Sequence, residues 1–321
     1  MKLLAICMTL LMLGAAQAAS APKLKIAVLS FGTVNWLMET IRANDLDAAH
    51  GYQLDVTGLA SGNAARVALL AGEVDVIVAD WIWALNRRVA GADMRFAAYS
   101  RTLGKLMSDP AIADLCALKG RRVGVVGGPS DKSWIVLQAL AGQDCGFDLA
   151  AETEGLYGAP PLMSRQLTDG AVSAVSTYWH FAARLEAAGT KPLVAISDAM
   201  RRLGVAPAPP LIGFTWEAGR PDPAALQGFL TSVRAAGGIL AANDDAWAAL
   251  RPRMKAQSDV EFAALRNAYR AGIVVDDWSD ADTAGAKALY DLLVQHGGAE
   301  FSATVGPFDP AVFDAPTTGG G

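Results

Sequence analysis

Between residues 24 and 216 the chain alternates short apolar runs with segments of helical periodicity, and this alternation limits its fold more than any other feature. Leu24–Phe31, Gln53–Leu59, Val74–Val78, Arg122–Val126 and Val172–Ser176 read as strands. Asn35–Ala49, Asn63–Ala71, Trp81–Val89, Lys132–Ala141, Pro161–Thr168 and a segment beginning near His180 read as helices. Such alternation builds a mostly parallel sheet with helices on both faces, an α/β class of fold. A mature chain of about 300 residues exceeds what one hydrophobic core serves, so two lobes are expected.

Two extended stretches read as crossings between lobes. Ala97–Lys105 carries Tyr99, Ser100 and Arg101, and Ala206–Phe214 carries Pro207, Pro209 and Pro210, which forbid helix. A chain that leaves one lobe, builds another and returns gives lobe 1 from residues 19–102 and 212–305, and lobe 2 from 103–211. From Pro223 onward the pattern is helical over Pro223–Ala242, Asp259–Ala271 and Asp280–Gln295, the last opened by a Ser279/Asp282 capping box. The tail 306–321, rich in Pro, Thr and Gly, is expected to be ordered only in part. The sequence shows no internal repeat.

The first residues are an export signal in pattern. Met1-Lys2 is a positive start, Leu3–Leu13 an apolar core, and Ala16-Gln17-Ala18 a cleavage site, so residues 1–18 read as a signal peptide. Cys7 does not make a lipoprotein, since Ile6 stands where a small residue is needed. No later stretch has the roughly 18 uninterrupted apolar residues of a membrane span. Losing Lys2 takes the formal charge from −5 to −6, which favours neither nucleic acid nor an anionic membrane. In an oxidising compartment Cys116 and Cys145 either bridge or stay as two buried thiols.

The chemistry-bearing residues gather where strands end. Six of the eight tryptophans do so: Trp36, Trp81, Trp83, Trp134, Trp179 and Trp216. In open α/β sheets ligands bind outside the carboxyl ends of the strands, where strand order reverses. The tryptophans therefore read as aromatic walls of a cleft, although ordinary packing is the commoner role for any one of them. Gly127-Gly128-Pro129-Ser130-Asp131-Lys132-Ser133-Trp134 is a glycine turn opening a helix, whose free N–H groups and dipole favour an anion. It is not a Walker A loop, because Asp131 stands where glycine must precede the lysine. Ser130 or Asp131 is equally a plain N-cap. Gly62-Asn63 with Arg66, and Thr33-Val34-Asn35-Trp36, are two further helix starts, with Asn63 as an N-cap the bland reading. Asp80 lies between these and the tryptophans, to pair with a base, meet a ligand N–H, or cap its helix. Arg66, Lys132 and Arg101 are the candidate cations, and Tyr178 offers a hydroxyl.

Absences narrow the reaction classes. His50, His180 and His296 lack metal-ligand spacing, and there is no G-x-S-x-G elbow or plausible Ser-His-Asp ordering. Asp276, Asp277, Asp280 and Asp282 lack the EF-hand spacing and read as a helix N-terminal cluster.

Three further motifs carry a resemblance. They are Ala60-Ser61-Gly62-Asn63, Ala71-Gly72-Glu73-Val74-Asp75, and Leu118-Lys119-Gly120-Arg121-Arg122-Val123-Gly124-Val125 followed by Gly128-Pro129-Ser130. With the signal peptide and in this order, they resemble the type II periplasmic substrate-binding proteins that serve ABC importers of sulfonates, taurine, nitrate and thiamine precursors. The resemblance covers roughly residues 24–300. It implies two lobes, each a mostly parallel sheet flanked by helices, joined by two crossovers and closing on one ligand. It also implies a soluble monomeric periplasmic protein that binds no nucleic acid, does not insert in the membrane and is no enzyme. Its expected partners are a small ligand and an inner-membrane permease with its ATPase. The expected ligand contacts are Asn35, Trp36, Asn63, Arg66, Asp80, Trp81, Trp83, Ser130, Lys132, Ser133, Trp134, Tyr178, Trp179 and Trp216, with no metal.

Several stacking walls favour a planar anion, each aromatic pair adding about 0.5–1.5 kcal/mol. Pyrroloquinoline quinone, a flat tricycle with three carboxylates, is the concrete expectation, as bound ligand and not as catalytic cofactor. Small sulfonates, taurine and thiamine-precursor pyrimidines are the alternatives. An enzyme on the same fold, or a periplasmic chaperone or sensor, are the competing classes.

Overall fold

The computed structural model describes residues 21–313, so the expected signal peptide and the last eight residues lie outside it. The first lobe opens with β1 (Lys23–Leu29), α1 (Val34–Ala43), α2 (Leu46–Ala49), β2 (Gln53–Leu59), α3 (Gly62–Leu70), β3 (Val76–Asp80), α4 (Trp81–Val89) and β4 (Met94–Ser100). The second holds β5 (Lys105–Ser108), β6 (Arg122–Val126), α5 (Lys132–Cys145), β7 (Glu154–Gly158), α6 (Pro160–Thr168), β8 (Ala174–Thr177), α7 (Trp179–Ala187), β9 (Lys191–Ala195) and α8 (Ile196–Arg202). The chain then returns through β10 (Ile212–Glu217) and ends in α9 (Pro223–Ala242), α10 (Asp244–Met254), α11 (Asp259–Arg270), α12 (Asp280–His296) and α13 (Gly298–Thr304). The single helix expected over 35–49 is two, broken at Asp45, whose left-handed φ of 49° ends the first and turns the chain.

The two sheets run β2-β1-β3-β10-β4 and β7-β6-β8-β5-β9. They are the same topology twice. In each, three parallel strands are followed by one inserted antiparallel strand and then an edge strand. The inserted strand is supplied by a crossing: β5 follows the first, and β10 follows the second. A repeat that the residues do not display is thus present in the topology, because packing fixes the order of elements while leaving side chains free to differ. In both sheets strand order reverses beside the first parallel strand, β1 or β6, which is where α/β sheets open a crevice.

Alternating burial explains the strands. Leu24, Ile26 and Val28 of β1 are buried under α1 and α9, while Ala27 faces the α3/α4 side. Cys116 and Cys145 are bridged, tying the turn before β6 to the end of α5 and settling the alternative left open by composition.

The C-terminal segments cross between lobes twice more. α9 and α10 pack on the first lobe, α11 lies between α10 and α7 of the second, and α12 lies against α5 of the second. Its first turn is fixed by Asp282, which accepts two bonds from Arg101 at 2.6 and 3.0 Å while completing the Ser279 capping box. Residues 305–313 return to the first lobe: Arg88 Nε donates to Asp309 at 2.7 Å, and Phe313 stacks on Trp278 at 3.9 Å. The tail, expected to be ordered in part, is therefore packed as far as Phe313.

Candidate functional site

The site begins at Asp80, the last residue of β3 and N-cap of α4. Its Oδ1 accepts the Trp83 amide at 2.9 Å, satisfying one of the helix's unpaired donors. Its Oδ2 accepts from Arg66 of α3 at 3.5 Å and from Lys132 of α5 at 3.2 Å. Arg66 also lies over the Trp83 ring, 5.3 Å from its centroid, and reaches Asn63 Oδ1 at 3.5 Å. Lys132 belongs to the second lobe and Asp80 to the first, so the carboxyl ends of the two sheets face each other. Burial pushes the Asp80 carboxyl up, but Lys132, the Trp83 amide and Arg66 together more than offset it, and the group titrates below its ordinary range.

Lys132 is aimed by the loop before it. Gly127 and Gly128 have φ of 95° and 94°, a region that side chains avoid, and a Cβ on Gly127 would meet Asp131 Oδ2 at 2.6 Å. The turn lets Asp131 fold back as N-cap, accepting the Ser133 and Trp134 amides at 2.9 and 3.2 Å. Burial holds the Asp131 carboxyl above its usual range despite Lys132 and those two amides, and Asp80 adds to the rise. Tyr178, N-cap of α7, completes the cluster: partial desolvation, with the charges of Asp131 and Asp80, pushes its phenol up to about 12.

No family model matches the sequence, and no curated protein does. Solved structures do match. The periplasmic aliphatic sulphonate-binding protein SsuA from Escherichia coli is 16% identical over 85% of this chain and 87% of that one, with a TM-score of 0.67. The alkanesulfonate-binding protein SsuA from Xanthomonas axonopodis pv. citri, bound to MOPS, is 17% identical over 87% and 94%, with a TM-score of 0.66. A desulfurization enzyme, DSZB, is 15% identical over 89% and 96%, with a TM-score of 0.57. The chain has the two-lobed periplasmic-binding-protein fold. Likeness at this identity fixes the architecture and leaves the chemistry to the residues.

On this fold, the residues expected at the cleft divide sharply. Asn63, Arg66, Asp80, Trp83 and Lys132 are brought together, with Ser130 on the loop before Lys132, Ser133 in the first turn of α5, and Tyr178 within reach of the charges of Asp80 and Asp131. Four tryptophans are not walls. Trp81, Trp134 and Trp216 are at most 2% exposed and Trp36 is 4% exposed, so protein neighbours already cover their rings. Trp81 lies edge-on to Phe308 and Phe313 and donates to the Pro210 carbonyl at 3.1 Å. A strand end puts a residue near the cleft, but the helix turn decides its side, and an apolar ring on the sheet-facing side enters the core. Trp179 is half-buried, edge-on to Trp36 and Tyr269 at 6.0 and 5.9 Å.

Asn35 is structural too: its side-chain amide donates to the Leu29 and Gly32 carbonyls, closing the turn after β1. Arg101 is held by Asp282 and supplies no charge to the cleft. The N-cap of α3 is Ser61, which accepts from the Ala64 amide at 3.1 Å, and not Asn63. Asp131 belongs with the site residues, and its signal was the glycine pair ahead of it. Among the described residues no cluster of His, Cys, Asp or Glu is arranged to hold a metal ion, and no helix is long and apolar enough to cross a membrane.

Proposed function

We propose that this protein is a periplasmic solute-binding protein that captures a small organic monoanion between its lobes and presents it to an ABC importer. The observation that carries the reading is the bridging of Asp80 by two cations from different lobes. Two positive charges against one carboxylate leave one in excess, while Asp131's charge is engaged by the amides and dipole of its own helix. A sulfonate brings one negative charge and three acceptor oxygens, which suits Arg66, Lys132 and the start of α3. Trp83, with Arg66 on its face, offers one aromatic surface for the ligand's apolar body.

A sulfonate or taurine therefore ranks above pyrroloquinoline quinone. Three carboxylates overmatch one excess positive charge, and four of the six tryptophans meant to stack the tricycle are inside the core. The likeness to sulfonate-binding proteins supports the same order, and it supports the expected localisation and transporter partners.

Isothermal titration with butanesulfonate, taurine and pyrroloquinoline quinone tests the ranking. We expect saturable one-to-one binding of a sulfonate at micromolar concentration. Binding of pyrroloquinoline quinone alone overturns the sulfonate and restores the planar ligand. Native mass spectrometry of the released ligand separates capture from turnover: an altered mass makes the protein an enzyme on this fold.

A further inference from the structure

The junction between β8 and α7 holds two polar atoms that the fold does not use. Thr177 Oγ1 and His180 Nδ1 are both buried, and neither has a hydrogen-bond partner among the described residues. A buried polar group left unpaired costs about 1–3 kcal/mol, so two within four residues call for an explanation. Their neighbours say where they lie. Tyr178, between them, feels the charges of Asp80 and Asp131, and Trp179 meets Trp36 of the other lobe edge-on. The junction thus sits where the lobes meet, beside the cation cluster.

We infer that Thr177 and His180 form a neutral polar subsite, which binds an uncharged hydrogen-bonding group carried by the anion at the end away from its charge. The inference rests on the anion-capture reading and adds to it a requirement on the rest of the ligand. A hydroxyl and a neutral imidazole each offer both a donor and an acceptor. Burial, with Arg184 nearby, keeps His180 uncharged, its pKa lowered to about 4. Arg184 itself is committed to Glu261 and to the Met254 carbonyl, so this end of the cleft offers no free cation to a second anionic group. The matching ligand group is a hydroxyl, amide or ether.

The test uses two sulfonates of one shape, butanesulfonate and hydroxypropanesulfonate, which differ by a terminal methyl against a hydroxyl. Wild type is expected to prefer the hydroxyl compound by about 3- to 10-fold, the worth of one neutral hydrogen bond. Thr177→Val, equal in shape, is expected to erase that preference while leaving butanesulfonate affinity within twofold. Equal affinities in wild type, or a preference that survives Thr177→Val and His180→Leu together, overturn the subsite. If wild type binds neither compound, the sulfonate reading falls, and the melting temperature of the ligand-free variants then decides the subsite. A Thr177→Val protein that melts at or above wild type supports an unpartnered hydroxyl. A loss of several degrees shows an internal partner and overturns it.

Discussion

Lys132 Nζ of the second lobe lies 3.2 Å from Asp80 Oδ2 of the first, and the same oxygen takes Arg66 of α3 at 3.5 Å. One buried carboxylate thus holds two cations at a spacing that neither helix would impose. Asp80→Asn keeps an acceptor for the Trp83 amide but removes the charge. Because Arg66 and Lys132 are 33% and 25% exposed, they can turn to water, so the expected loss is about 1–3 kcal/mol, less than for a sealed pair. The ratio of dianion to monoanion affinity is expected to rise. Denaturant melts and calorimetric titrations check both.

Asp131 is predicted to behave in the opposite way. Its carboxyl is held above the ordinary range, so its ionised form costs stability once the pH passes the unfolded value. Asp131→Asn retains the cap and is expected to be at least as stable as wild type at neutral pH. With one negative charge fewer beside Lys132, anion affinity is expected to rise about 3- to 10-fold, falling back in high salt.

His180 imposes a pH dependence on folding. Its pKa is lowered to about 4 from 6.5, first by burial and then by Arg184. The unfolded chain therefore takes up a proton that the folded chain refuses, and stability falls as pH drops from 6.5 toward 4. The fall contributed by this group is up to about 3 kcal/mol. His180→Leu should flatten that limb of a stability–pH curve; an unchanged slope would show the imidazole free to ionise in the fold.

Trp179 reaches from α7 into an aromatic group formed by Trp36, Trp247 and Tyr269 on the first lobe. Each edge-on contact is worth about 0.5–1.5 kcal/mol. Trp179→Ala is expected to favour separation of the lobes, read as a larger radius of gyration in X-ray scattering of the ligand-free protein. An unchanged radius would mean that α7 and α11 hold without the ring.

The bridge between Cys116 and Cys145 closes a loop of 29 residues. In the chain-entropy model this stabilises by about 3 kcal/mol, so Cys145→Ser should lower the unfolding free energy by that amount and make the denaturation midpoint insensitive to reductant.

The fold was largely legible because strong periodicity survives in single segments. Gln53–Leu59, Trp81–Val89, Arg122–Val126 and Pro223–Ala242 have the bounds their residues suggest. Two strands that escaped notice carry breakers: Glu154–Gly158 has two glycines, and Lys191–Ala195 has Pro192 at a sheet edge, while Met94–Ser100, Lys105–Ser108 and Ile212–Glu217 overlap the stretches read only as crossings. In the site, charges were easier to place than rings. Arg66, Asp80 and Lys132 flank strand ends, where a charged side chain has only the cleft or solvent to enter. An indole has a third choice, the core, and Trp36, Trp81, Trp134 and Trp216 took it. The pairing of Arg101 with Asp282, 181 residues apart, leaves no local trace in the chain.

The path of α12 limits how the molecule can move. Two crossing strands alone would let one lobe both bend and twist against the other. Here α12 rests on α5, its first turn is pinned to Arg101 at the first crossing, and residues 305–313 lead back to α4 and β4. Any turn of one lobe against the other must carry α12 and its Arg101 pin along, and must also slide or part α11 from α7. The joint between the lobes is therefore a bundle of linked segments, and a change at any one of them is felt by the others.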